Sequence, residues 1–77
     1  MVQLSRLEGF YWVGKTGGYA AAARAFPYPI TQPAVYQQVR KLEEEIERKL
    51  FERVGHGSMR LTPAGQLLYD FAAPFYE

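Results

Sequence analysis

Apolar residues recur along residues 31–46, TQPAVYQQVRKLEEEI, in steps of four, three and four, so that Val35, Val39, Leu42 and Ile46 fall on one narrow stripe of a 3.6-residue helix. The stripe predicts a helix that turns one side to a core. About a third of a turn away, Pro33, Tyr36, Gln37 and Arg40 form a second stripe of planar, polar or positive side chains long enough to reach a base edge. Thr31 is of N-cap type, and Pro33 falls in the first turn, where a missing N–H costs nothing. Glu43, Glu44, Glu45 and Glu47 gather in the last turn and just beyond it, so a helix entering a groove by its N-terminal end keeps them away from phosphates. Two readings stay open for this segment: a DNA-recognition helix, or an ordinary amphipathic helix whose polar face meets water.

The flanking segments give the other elements. Leu4, Leu7, Phe10, Tyr11 and Val13 follow a helical pattern over residues 4–13, and Gly17-Gly18 supplies the stop; Trp12 falls off the main stripe, at the edge of a small core. Residues 19–26, YAAAARAF, form a short alanine-rich helix whose small side chains let another helix lie close, with Arg24 as its one charge, either touching a phosphate or solvated. PYPI, with two prolines in four residues, forces an extended turn before Thr31, and two short helices around such a turn suggest helix-turn-helix.

After Ile46, Leu50-Phe51 plugs a core, and Gly55 and Gly57 mark a tight reversal between two extended arms, a two-stranded wing over residues 51–62. Arg53 and Arg60 stand on opposite arms with His56 and Ser58 at the tip; the arginines either serve a minor groove or phosphate, or are simply solvated. Thr62-Pro63 opens a last helix in which Ala64, Leu67, Leu68, Phe71 and Phe75 keep to one side, meeting either a second subunit or the first helix. Pro74 should stop or kink that helix near its end.

Composition narrows the function classes. Seventy-seven residues make one domain that buries only roughly 60% of its extended surface. Without cysteine there is no disulfide framework or thiolate metal site, and a single histidine anchors neither a metal cluster nor an ordinary hydrolytic triad, so no enzyme, metal or cofactor is expected. No apolar run approaches the ~20 residues of a membrane span, and the N-terminus lacks a signal peptide, which fits a soluble, cytoplasmic protein. The net charge is +1, distributed as +2 over residues 1–30, zero over 31–53 and −1 over 54–77. A basic patch must therefore be made by folding.

LSRLEGFYWV, the glycine and aromatic of GGY, the AA..AF of the second helix, TQPAV..QVRKLEEEI, KLFER and RLTPAG occur in the order expected of one family. Over nearly its whole length the chain resembles the N-terminal winged helix-turn-helix domain of LysR-type transcriptional regulators. Molybdate-responsive regulators share a similar winged domain. The resemblance implies a mainly α fold: a three-helix core and two-stranded wing over residues 1–62, then the start of a linker and dimerisation helix over 63–77. It implies that residues matching Thr31, Gln32, Pro33, Tyr36 and Gln37 enter the major groove of double-stranded DNA, that Arg53 serves the wing, and that the last helix pairs two subunits over an imperfect palindrome.

Several positions depart from the family pattern. PYPI makes the turn about two residues longer than usual, which tilts the recognition helix or adds Tyr28 to the DNA surface. Gly18, Ala20 and Ala21 stand where hydroxyl or basic residues are frequent, Tyr36 replaces a small hydroxyl residue, Glu47 replaces a helix-ending glycine, and the wing tip is one residue longer. The combined expectation is a sequence-specific, homodimeric DNA-binding domain. In it Gln32, Tyr36 and Gln37 touch base edges, Thr31, Arg24, Arg40, Arg53 and Arg60 hold phosphate or the minor groove, and Leu67, Leu68, Phe71 and Phe75 pair the subunits. The rival is a winged helix kept for protein contact through Leu67, Phe71 and Phe75. A small-molecule effector would need the C-terminal domain such regulators carry, which these residues do not contain; the chain is then either an excised domain or a short regulator.

Overall fold

The computed structural model describes residues 4–77, with side chains from Arg6 onward, so the packing expected of Leu4 lies outside the described side chains. The elements follow in the order α1 (Leu4–Thr16), α2 (Tyr19–Ala25), α3 (Gln32–Ile46), β1 (Phe51–Gly55), β2 (Ser58–Leu61) and α4 (Pro63–Ala72), with a closing 3-10 turn at Ala73–Phe75. This is a winged helix-turn-helix: α1, α2 and α3 enclose a core of Phe10, Val13, Ala22, Val35, Val39 and Leu42, and Leu50 and Phe51 close it from the wing side. Phe10 and Phe51 lie with ring centroids 5.4 Å apart, tying the first helix to the first strand.

The helix ends follow local chemistry. Helix α1 runs past Val13 to Thr16, whose hydroxyl donates to the Trp12 carbonyl at 2.7 Å, and stops at Gly17 with φ at 86°. Helix α2 ends one residue before Phe26 because Phe26 precedes Pro27 and takes extended geometry, with φ at −54° and ψ at 144°. At α3 the Thr31 hydroxyl accepts from the Ala34 N–H at 3.2 Å, and at α4 the Thr62 hydroxyl accepts from the Gly65 N–H at 3.0 Å, each with a proline in the first turn. Pro74 ends α4 at Ala72 and tightens the chain into the 3-10 turn. Tyr11 is buried between the rings of Tyr69 and Tyr76, with centroids at 5.6 and 4.8 Å, which holds α4 and the 3-10 turn against α1.

Helix α3 ends on Glu47 in the left-handed region, with φ at 60° and ψ at 40°, and its N–H donates to the Glu43 carbonyl. A side chain there costs about 1 kcal/mol that glycine avoids. Glu47→Gly is expected to raise the unfolding free energy by about 1 kcal/mol, read as a higher denaturant midpoint at unchanged slope.

Helix α4 divides its apolar residues between two faces. Ala64 and Leu68 pack against the core, whereas Leu67, Phe71 and Phe75 are 76%, 67% and 71% exposed. Leu68, grouped with the dimerisation residues from the sequence, lies about 100° around the helix from Leu67 and is partly buried against its own core.

Candidate nucleic-acid interface

Helix α3 buries Val35, Val39 and Leu42 and leaves Gln32, Pro33, Tyr36 and Gln37 exposed on the side away from the core. Thr31 is exposed at its N-terminus, and Arg40, half-buried, follows one turn after Tyr36 and Gln37. Arg53 on the wing lines the groove beside Tyr36 and Arg40, and Arg24 is exposed in the last turn of α2. Among the described residues, Arg24, Arg40 and Arg53 make no ion pair, whereas Arg6 is paired to Glu45 and Arg60 to Glu52. The charge that composition leaves near zero is sorted by folding into paired and unpaired arginines.

A groove of about 450 Å³ runs between α3 and the wing, and Tyr19, Tyr36, Arg40, Glu43, Arg53 and Met59 line it. Tyr19 is the residue that sequence reading missed. It opens α2 within an alanine-rich stretch and reads as packing, yet its ring meets Tyr36 edge-on with centroids 5.3 Å apart and an interplanar angle of 70°. Burial first, then the negative charge of Glu43 and the neighbouring Tyr36, push the Tyr19 hydroxyl up to about 12 against the opposing pull of Arg40 and Arg53. The hydroxyl stays protonated near neutrality.

Glu43 also differs from expectation. It lines the groove rather than standing apart from it, because its carboxylate accepts the Leu50 N–H at 2.8 Å across the turn into β1. Glu44 and Glu47 are exposed beyond it, around a shallow depression shared with Arg48 and Lys49.

The wing separates its two arginines. Strand pairing sets Phe51 against Leu61, Glu52 against Arg60 and Arg53 against Met59, then shifts by one residue before Gly55 meets Ser58. Arg53 therefore shares the groove side with Phe51 and Met59, while Arg60 stands on the other face of the ribbon, its Nε 2.6 Å from Glu52 Oε1. Arg60, expected beside Arg53, is instead on the opposite face in an exposed cross-strand pair with Glu52, of the kind worth at most about 1 kcal/mol. His56 is exposed at the tip.

The wing is docked as well as folded. The Met59 N–H donates to the Gly17 carbonyl at 2.7 Å, and a Cβ at Gly18 would lie 2.5 Å from the Gly57 carbonyl. The wing tip thus fills the space that a side chain at position 18 would occupy. Tyr28 is drawn away from the α3 face: its hydroxyl donates to Glu8 Oε1 at 2.6 Å and its ring leans edge-on against Phe26. The turn adds no tyrosine to the cleft lined by Gln32 and Tyr36.

The family model of the bacterial regulatory helix-turn-helix protein, lysR family, matches residues 4–66, which include α1, the whole helix-turn-helix and the wing. The chain belongs to the lysR family. Regulatory protein NocR of Agrobacterium fabrum is 41% identical over 75 residues, covering 97% of this chain but only 24% of NocR. Among solved structures, the BenM DNA-binding domain in complex with benA site 1 DNA superposes with a TM-score of 0.82 at 30% identity, over 96% of this chain and 80% of that one. The CbnR DNA-binding domain in complex with DNA gives 0.83 at 30% identity, over 96% and 82%. No described helix is long and apolar enough to cross a membrane.

Proposed function

We propose that this chain binds double-stranded DNA in a sequence-specific manner for transcription regulation, as a homodimer, with α3 in the major groove and the wing at the minor groove. The observation that carries this reading is the α3 face itself. Gln32, Pro33, Tyr36 and Gln37 are exposed on a helix whose opposite side is core, and Arg40 and Arg53, without an ion pair among the described residues, line the groove with Tyr36. Cations without an ion pair beside planar, amide-bearing side chains leave positive charge available to phosphate. That the similar BenM and CbnR domains are found in complex with DNA supports DNA as the ligand.

In this assignment Gln32, Tyr36 and Gln37 read base edges, while Thr31, Arg24, Arg40 and Arg53 hold the backbone. Residues 1–62 form the DNA-binding unit and residues 63–77 begin the pairing helix, through Leu67, Phe71 and Phe75. The chain acts in the cytoplasm without catalysis or cofactor, and an effector would enter only through a region outside these residues.

Specificity and affinity should separate by mutation. Gln37 presents an amide that donates and accepts in one plane, the pattern adenine offers in the major groove, so Gln37→Ala is expected to relax preference at one or two base pairs by about 1–3 kcal/mol each. Arg53→Ala is expected to weaken all duplexes alike and to lower the slope of log affinity against log salt by about 1. Titrations of cognate and scrambled duplexes across salt concentrations measure both. Equal losses from Gln37→Ala on every duplex would contradict the base-reading role.

A further inference from the structure

We propose that Tyr36, braced by Tyr19, is a thymine reader: its ring and Pro33 wall a largely apolar cleft that takes the 5-methyl group of one thymine in each half-site. The inference rests on the major-groove placement of α3 proposed above and assigns that face its chemistry. Pro33 and Tyr36 lie three residues apart, so they neighbour each other on one side of the helix. With Gln32 and Tyr19 they line a cleft of about 390 Å³ open to the outside. Tyr36 is 45% exposed, and its position in the first half of α3 lies on the side turned from the core.

An exposed tyrosine on a helix ordinarily turns about its side-chain bonds, but the edge-on contact with Tyr19 limits that freedom. Tyr19 is itself half-buried at the start of α2 and packed against the core, so the brace is anchored. The cleft between Tyr36 and Pro33 therefore exists before DNA arrives. In the major groove the thymine methyl is the apolar mark among otherwise polar base edges. Ring and pyrrolidine carbons offer it a surface that water leaves at a gain, whereas the amides of Gln32 and Gln37 beside the cleft suit the polar edges of neighbouring pairs. Tyr19 acts here as a positioning residue: it lines the cleft beside Tyr36 and fixes the ring that meets the methyl.

The test uses duplexes enriched from a randomised pool by this chain, with each thymine replaced in turn by deoxyuridine, which removes only the methyl group. Replacement at one position per half-site is expected to weaken binding about fourfold, the worth of one buried carbon. Tyr36→Ser should bind the thymine and uracil forms alike. Tyr19→Phe, which keeps the ring edge, should retain the fourfold ratio, and Tyr19→Ala should lose it; because the ratio compares two duplexes on one protein sample, a smaller folded fraction cancels. Specific binding by the wild type that ignores uracil at every position, or a ratio that survives Tyr36→Ser, would overturn the thymine assignment while leaving base reading intact. Failure to enrich any sequence would overturn both.

Discussion

Gly65→Ala is expected to lose about 3 kcal/mol of stability and to melt roughly 12–24 °C below the wild type, the largest effect of any single methyl added to this fold. A Cβ on Gly65 would fall inside the Leu50 carbonyl, and that carbonyl cannot retreat. It accepts the Thr62 N–H at 3.0 Å, while the Thr62 hydroxyl donates to the Lys49 carbonyl at 2.6 Å and accepts from the Gly65 N–H. The Leu50 side chain is buried in the core on the other side. The first turn of α4 is thus bolted to the entrance of β1 through the two hydrogen bonds of Thr62 to the Lys49 and Leu50 carbonyls, and the added methyl must break one of them or displace Leu50. Thermal unfolding followed by far-ultraviolet circular dichroism measures the loss. A melting temperature within a few degrees of the wild type would contradict this close approach.

The second large effect falls on assembly. Joint replacement Phe71→Ser and Phe75→Ser is expected to leave the fold intact, to convert the homodimer proposed above to a monomer, and to weaken binding to a two-half-site duplex by at least about 100-fold. The two rings pack on each other, with centroids 5.6 Å apart, and both are mostly exposed beside the exposed Leu67. An apolar group of this size left open to water in one subunit gains by meeting its copy. A dimer holds its second recognition helix at high effective concentration over the second half-site, and a monomer forfeits that gain. Leu68→Ser should behave oppositely, lowering thermal stability, because its side chain belongs to the core of its own subunit. Sedimentation and melting of the two variants separate the cases, and a dimeric double-serine variant would remove the exposed stripe from the pairing surface.

Much of this architecture is legible in residue order because it depends on local rules. The stripes of α1 and α3, the threonine and proline that open α3 and α4, the stop at Gly17 and the interruption at Pro74 each follow from side-chain spacing or backbone chemistry within one turn. Facing is less legible, since it depends on register. Read symmetrically about the turn, Arg53 and Arg60 look like partners; the one-residue shift between Arg53 and Gly55 puts them on opposite faces, because side chains alternate along a strand. Leu67 and Leu68 are neighbours in sequence and belong to different surfaces. Tyr19 shows no sign of function in its own alanine-rich segment, for its meaning comes from Tyr36, 17 residues later on another helix. Gly18 likewise looks like a missing phosphate contact until the Gly57 carbonyl is seen to occupy its place.

The most direct test of the central claim is selection of bound duplexes from a randomised DNA pool at moderate salt, followed by sequencing of the enriched fraction. An imperfect palindrome whose half-sites repeat one base pattern is predicted, because two copies of α3 related by two-fold symmetry must read the same sequence on opposite strands. Duplexes recovered without enrichment, or no duplexes recovered even when the salt is lowered, would contradict sequence reading by this face and leave Leu67, Phe71 and Phe75 as a surface for protein contact alone.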